Sequence, residues 1–392
     1  PTHNRQAYFA AHPGRSNLGA RAVEEPPAPP TAEEAKTEEE KNLLRVCCVD
    51  FNVQENAISH KTNLYEITED RVLEDGSKPT PQLVVRRGQY FDITVTFDRP
   101  FDKQKDDIRL VFDCGPIPSE SKGTRVSMLM SDADLPRQWG AKALSTDGNN
   151  LKVRVFTPAD CLVAKWNFKF DTVIQVEGKS KMYRYQHTHP IYILFNPFCP
   201  DDTVYMDDEA SLNEYVLSDH GYVYRGTSKQ ISAKPWNFGQ FEDFMLDCCM
   251  HLLDTSGLSF HARGDPISIC RKISAMANSE DDSGVLTGNW SGDYAGGTSP
   301  LKWVGSVAIM EQYWKTLRPV SFGQCWVFSG VVTTIGRCLG LPCRSVTNFA
   351  SAHDSDGSIT IDSHWTTDGK PLEEYNTDSV WNFHVWNEAW MA

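Results

Sequence analysis

Between Val46 and Phe195 apolar side chains recur at every second position. Ile93, Val95 and Phe97 alternate with Thr94 and Thr96, and Leu151, Val153 and Val155 with Lys152 and Arg154. Ala164, Trp166, Phe168 and Phe170 do so with Lys165, Asn167 and Lys169. A period of two sends one set of side chains to each face of an extended strand, so each segment has one face to bury and one to leave wet. About seven such segments separated by turn residues predict an all-β, immunoglobulin-like sandwich over 44–195.

The run Asn196-Pro197-Phe198-Cys199-Pro200-Asp201-Asp202 breaks the alternation and marks a boundary. Beyond it, over 196–392, helices are expected in Phe241–Leu253, Ile267–Met276 and Val304–Leu317, and strands in Cys343–Phe349, Ser358–Ile361 and Val380–Trp390. That mixture is α+β. Residues 1–43 lack periodicity and join Pro26, Pro27, Pro29 and Pro30 to Glu33, Glu34, Glu38, Glu39 and Glu40, the composition of a disordered tail.

Composition excludes several classes of function. With 52 acidic against 38 basic residues and a net charge of -14, the chain repels a phosphate backbone, and no basic patch reverses this. Nucleic acid is not an expected partner, and no glycine-rich phosphate loop is present. Eleven cysteines form no CxxC pair and leave at least one thiol unpaired, which fits a reducing, cytoplasmic setting. No stretch reaches the roughly 18 apolar residues of a membrane span, and no signal-peptide pattern is seen; release without such a signal is compatible with this. The chain begins with Pro1, so a processed product or fragment is expected.

Gly323-Gln324-Cys325-Trp326-Val327-Phe328 opens a segment whose Val327, Phe328, Val331, Val332, Ile335 and Leu339 share a helical face, with Gly340 and Pro342 as stop signals. Cys325 is thereby placed at a helix N-terminus, where unpaired amides favour thiolate and suit the residue to nucleophilic attack. The ordinary fate of a free cysteine is a small buried apolar residue, and position alone does not exclude it. A thiol nucleophile needs a base. His384, in Trp381-Asn382-Phe383-His384-Val385-Trp386-Asn387-Glu388, is one candidate among 11 histidines, and spacing does not select it.

At these residues the chain resembles the animal transglutaminases, from about Val46 to its end. The resemblance rests on Pro235-Trp236-Asn237-Phe238-Gly239-Gln240-Phe241-Glu242, on Gly323 to Phe328, on Arg344 to Asp354 and on Asp378 to Glu388. It implies a papain-like catalytic core behind the sandwich, with acyl transfer from protein-bound glutamine to a lysine or small primary amine. Cys325 becomes the nucleophile and His384 the general base and acid. Trp290 becomes the indole donor of the oxyanion hole, and Trp381 a wall of the substrate tunnel. The family orients its histidine with an aspartate on a following strand. No aspartate follows Asp378 here, and Glu388 lies about 13 Å along the strand from His384. The orienting carboxylate and two C-terminal β-barrels are therefore expected beyond Ala392, and the chain is read as truncated. A catalytically silent homologue and a cysteine amidase or protease are the alternatives.

The resemblance also implies Ca²⁺ sites. One uses the Ala275 carbonyl, Asn278, Glu280 and Asp282; the other uses Asp354, Asp356, Ser358, Thr360 and Asp378. Hard oxygen donors suit calcium, yet neither loop has EF-hand spacing, and acidic loops are ordinarily just solvated. Arg263-Gly264-Asp265 spells an integrin-binding tripeptide, but Pro266 follows it and Asp265 is read as a helix cap.

Overall fold

The computed structural model describes residues 43–176 and 179–392, and Leu44–Ala392 packs as one compact unit. The tail expected over 1–43 lies, apart from Leu43, outside the described residues.

Among the described residues ten strands form the N-terminal β domain. They are β1 (Val46–Asp50), β2 (Val84–Arg86), β3 (Phe91–Phe97), β4 (Asp107–Asp113), β5 (Arg125–Ser131), β6 (Gly140–Asp147), β7 (Asn150–Phe156), β8 (Ala164–Val176), β9 (Lys179–Gln186) and β10 (Ile191–Leu194). Their hydrogen-bonded order is β1-β3-β7-β6-β5-β4-β8-β10-β2, with β9 added on β8. The alternation read from the sequence is realised: Phe91, Ile93, Val95, Leu151, Val153, Trp166, Phe168 and Phe170 are wholly buried in one cluster. A short helix, α1 (Val53–Ser59), crosses one end.

At that end a buried histidine links α1 to β2. The Arg86 amide donates to His60 Nδ1 at 2.9 Å, and His60 Nε2 lies 3.0 Å from the Tyr90 carbonyl. The ring is therefore neutral, with its proton on Nε2. Burial lowers its pKa from 6.5 to about 3. Between those values the unfolded chain binds a proton that the folded chain refuses, so stability is full above pH 6.5 and falls as pH drops toward 3. Thermal midpoints measured from neutral pH to about pH 4 should decline by an amount worth a few kcal/mol, and His60→Gln should remove that part of the slope. Parallel slopes in the two proteins would refute the assignment.

Beyond Leu194 the architecture becomes α+β. A hairpin, β11 (His220–Thr227) and β12 (Gln230–Asn237), precedes α2 (Met245–Thr255) and α3 (Pro266–Ala277). Next come β13 (Leu286–Gly288), α4 (Val307–Thr316), β14 (Val320–Gly323), α5 (Cys325–Cys338), β15 (Cys343–His353) and β16 (Ser379–Ala389). Asp265 caps α3 as read, accepting from the amides of Ile267 and Ser268 at 3.2 and 3.0 Å. Arg263 is fully buried and pairs with Asp254, so the tripeptide is not displayed.

The strand expected at Ser358–Ile361 does not form. Asp354 Oδ2 accepts from the Ile359 amide at 2.7 Å and Asp356 Oδ1 from that of Ser358 at 3.0 Å. Side-chain oxygens have taken the amides a ladder would need.

The two parts share a core. Tyr65, Val84, Tyr192 and Phe195 of the N-terminal part join Trp326, Val331, Ile335 and Leu339 in a second cluster. Tyr65 donates to the Cys338 carbonyl at 2.8 Å, and the Phe195 amide to the Leu339 carbonyl at 3.1 Å. The end of α5 is thus seated on the β domain. Gly340 turns the chain there at φ +90°, and a Cβ on it would lie 2.5 Å from the Phe195 carbonyl oxygen, so only glycine fits.

Candidate active site

Cys325 is the first residue of α5, entered from the extended Gln324. Its side chain is 8% exposed and borders a cavity of about 920 Å³ that His384 and Trp290 also line. Three elements bring these residues together. On α5, Ser329 Oγ donates to the Trp386 carbonyl at 3.0 Å, and Asn387 Nδ2 donates back to the Ser329 carbonyl at 3.0 Å and to Thr333 Oγ1 at 2.8 Å. These bonds pin β16, and with it His384, to the helix that carries the thiol. The loop of Trp290 is pinned from the other side: the Asn289 amide donates to the Gly323 carbonyl at 3.1 Å, and Gln324 Nε2 to the Asn289 carbonyl at 2.9 Å.

Trp290 is 57% exposed and stacks on Phe328 with rings 6.5 Å apart and 7° from parallel. Its other support is Gly288, where a Cβ would come within 2.5 Å of the indole. Trp381 stands next to His384, outside the lining of that cavity. It meets His384 edge-on at 4.9 Å and stacks on His353 at 4.5 Å, forming a screen beside the imidazole.

The helix terminus was expected to lower the Cys325 pKa. Burial instead pushes the thiol above its ordinary value, while the backbone amides of Val385, Trp326 and Cys325 and the Arg225 guanidinium pull it down without cancelling that cost. Desolvation of a charge outweighs a few dipoles when the sulfur is enclosed. Burial, with His353 second, lowers the His384 pKa, so the imidazole is neutral near pH 7. Its Nδ1 is enclosed without a hydrogen-bond partner. A neutral imidazole whose unprotonated nitrogen has a free lone pair can take the proton that a thiol lining the same cavity must lose. Glu388 is engaged elsewhere, accepting from Arg344 Nε and Nη2 at 3.1 and 2.8 Å.

Of the two expected metal sites, the second converges. Carboxylate oxygens of Asp354, Asp356 and Asp378 lie within 4.8 Å of one another. Asp378 accepts from the Ser355 amide at 2.8 Å, from Ser355 Oγ at 2.6 Å and from the Asp362 amide at 3.0 Å; these bonds, the Ser355 hydroxyl first, hold its pKa at about 2. Ser358 and Thr360 face each other on the same loop at 2.9 Å. At the first site the Ala275 carbonyl accepts from the Asn278 amide at 3.1 Å, and Asn278 Oδ1 caps the Glu280 amide at 3.1 Å. Asn278 and Glu280 border the Cys325 cavity. The Asp282 side chain lies outside the described residues.

Sequence reading missed the tether residues Ser329 and Asn387. Polar residues on a buried helix and its facing strand were the available signal. It also missed Arg225, which nothing in its own hairpin singles out.

Known proteins resemble this chain in sequence and fold. The model described as "Transglutaminase family" matches residues 48–173, and that described as "Transglutaminase-like superfamily" matches residues 305–392. Protein-glutamine gamma-glutamyltransferase K of Oryctolagus cuniculus is 47% identical over 310 residues, which is 79% of this chain and 37% of that protein. Annulin of Schistocerca americana is 41% identical over 377 residues, 95% of this chain and 47% of that protein. The crystal structure of red sea bream transglutaminase superposes with a TM-score of 0.75 at 34% identity, covering 88% of this chain and 50% of the other. The chain spans half or less of the length of these relatives.

Proposed function

This chain belongs to the transglutaminase family, and from that premise we propose that it acts as a calcium-dependent protein-glutamine gamma-glutamyltransferase. The observation that carries the reading is the single cavity lined by Cys325, His384 and Trp290, with Cys325 at the head of α5.

In this reading His384 takes the Cys325 proton and the sulfur attacks the carboxamide carbon of a protein-bound glutamine. The oxyanion that forms is met by the Cys325 backbone N–H and the Trp290 indole N–H, donors that do not titrate. His384 returns its proton to the departing nitrogen, ammonia leaves and a thioester remains. A lysine side chain or small primary amine then attacks the thioester, His384 takes its proton, and an isopeptide bond is released with the thiol restored. Trp381 screens His384 from water, which favours amine over hydrolysis.

Asp354, Asp356 and Asp378, with Ser358 and Thr360 on the same loop, supply a hard oxygen donor set of the kind calcium takes. Bound calcium supplies the divalent charge that offsets the repulsion among these carboxylates. Asp378 immediately precedes β16, the strand carrying His384, and it already ties that strand to the Ser355–Asp362 loop. The same calcium chemistry applies to the first set, Ala275, Asn278, Glu280 and Asp282.

The test is incorporation of a fluorescent primary amine into a glutamine-rich protein by the full-length enzyme. Labelling is expected with calcium and not after chelation. Asp378→Asn should raise the calcium needed for half-maximal labelling by roughly tenfold or more, because a ligand charge and the loop tie weaken together. Labelling indifferent to chelation would overturn the calcium part. Release of ammonia without amine incorporation would replace the transferase with an amidase.

A further inference from the structure

The β11–β12 hairpin lies against the β15–β16 ribbon, where Thr347 Oγ1 donates to the Tyr224 carbonyl at 2.7 Å. This contact sets the next residue, Arg225, beside the head of α5. The Arg225 guanidinium carbon is 5.0 Å from the centre of the Trp326 ring, and Trp326 follows Cys325 in the first helical turn. Arg225 Nε is enclosed without a hydrogen-bond partner. A half-buried cation with an unmet donor is costly, and one held on an aromatic face is aimed rather than free to sweep. Burial lowers the Arg225 pKa, and the charge that offsets this is the Cys325 thiolate.

We propose that Arg225 is a positioning residue for the acylation chemistry: seated on the Trp326 face, its guanidinium lowers the cost of the Cys325 thiolate that forms when the thiol gives up its proton. The inference rests on Cys325 being the nucleophile of the proposed reaction. The proton balance is simple: the S–H bond breaks, the proton goes to His384, and Arg225 remains charged throughout.

The thiol answers to charged and titratable groups on several elements. His384 of β16 lines the same cavity, and the charge of His353 on β15 acts on its ring. Glu280 and Asp281 also border the cavity. Cys270 of α3 and Cys343 of β15 also line it, with pKa values that burial raises to about 12 and about 11, so both are neutral. Lys234 on β12 donates to the Leu301 carbonyl at 2.8 Å. Arg225 is the cation whose charge acts on the Cys325 sulfur in the thiolate's favour. In a chain of net charge -14 such a cation works against the general field as well as against burial.

The experiment is alkylation of Cys325 by iodoacetamide, followed by peptide mass across roughly pH 6.5 to 10.5, in the intact chain and in Arg225→Gln and Arg225→Lys. Arg225→Gln should move the midpoint of the Cys325 profile up by roughly half to one unit, slowing alkylation at neutral pH about three- to tenfold. Arg225→Lys should recover most of that shift, since it keeps the charge. The exposed thiols of Cys47 and Cys48 should alkylate alike in all three proteins. A Cys325 profile unchanged in Arg225→Gln overturns the inference and leaves the nucleophile reading standing. Equal shifts in Arg225→Gln and Arg225→Lys, with a lowered thermal midpoint in both, would make the residue structural and overturn it as well. A Cys325 that is not modified at any pH, while Cys47 is, overturns nucleophile and inference together.

Discussion

Cys325→Ala is expected to abolish amine incorporation by the full-length protein while leaving the fold in place. In the proposed mechanism the thioester forms on the sulfur at the head of α5, and among the described residues no other thiol heads that helix. Cys270 and Cys343 border the same cavity, but neither heads a helix, and burial pushes their pKa values up to about 12 and about 11. Removing the nucleophile of a covalent mechanism costs on the order of 10⁵ to 10⁶ in rate, the whole of a normally detectable activity. The structural cost is small, because deleting one buried sulfur opens a cavity worth about 1 kcal/mol. His384→Ala should be comparably inactive, since base and nucleophile act as a unit and their losses do not add. Residual labelling above about one per cent in either variant, with unfolding unchanged, would move the chemistry to another residue.

Arg87→Ala is expected to produce the largest loss of stability from a single side chain. Arg87 and Asp202 are 1% and 0% exposed, and they meet through two bonds, Nε to Oδ2 at 2.7 Å and Nη2 to Oδ1 at 2.8 Å. Arg87 Nη1 also donates to the carbonyls of Cys161 and Gly264, each at 2.9 Å. Asp202 accepts from the amides of Asn196 and Val204 at 2.9 and 3.1 Å, so one pair organises the segment that leaves the β domain for the core. Truncating the arginine strands a buried carboxylate, which typically costs about 3 to 5 kcal/mol. Removing both charges is milder, since what is expensive is the unpaired ion. Denaturant unfolding should therefore rank Arg87→Ala well below the double variant Arg87→Met with Asp202→Leu. The reverse ranking would mean that the pair itself supplies net stability.

The β domain was legible because its signal is local: each buried residue of β3, β7 and β8 announces its face by its neighbours two positions away. The helix of Cys325 was legible for a similar reason, with apolar spacing inside it and Gly340 and Pro342 after it. The β11–β12 hairpin escaped notice because at least half of each strand is exposed and Pro235 lies within one of them; its ladder is held by pairing across the turn and by contact with β15 and β16. The Ser358–Ile361 strand failed for the opposite reason. Alternation was present, but Asp354 and Asp356 satisfied its amides first.

The sequence by itself determined which residue types had to be buried, where the thiol helix starts and stops, and which long motifs mark the transglutaminase family, because periodicity, capping and motif identity reside in neighbouring positions. Tertiary structure alone brought His384, one of 11 histidines, to the cavity that Cys325 lines. It also set the direction of the Cys325 pKa and brought Arg225 to the Trp326 face. Those outcomes depend on distances between elements far apart in the chain and on how much water their packing excludes, and both exist only once the core has closed.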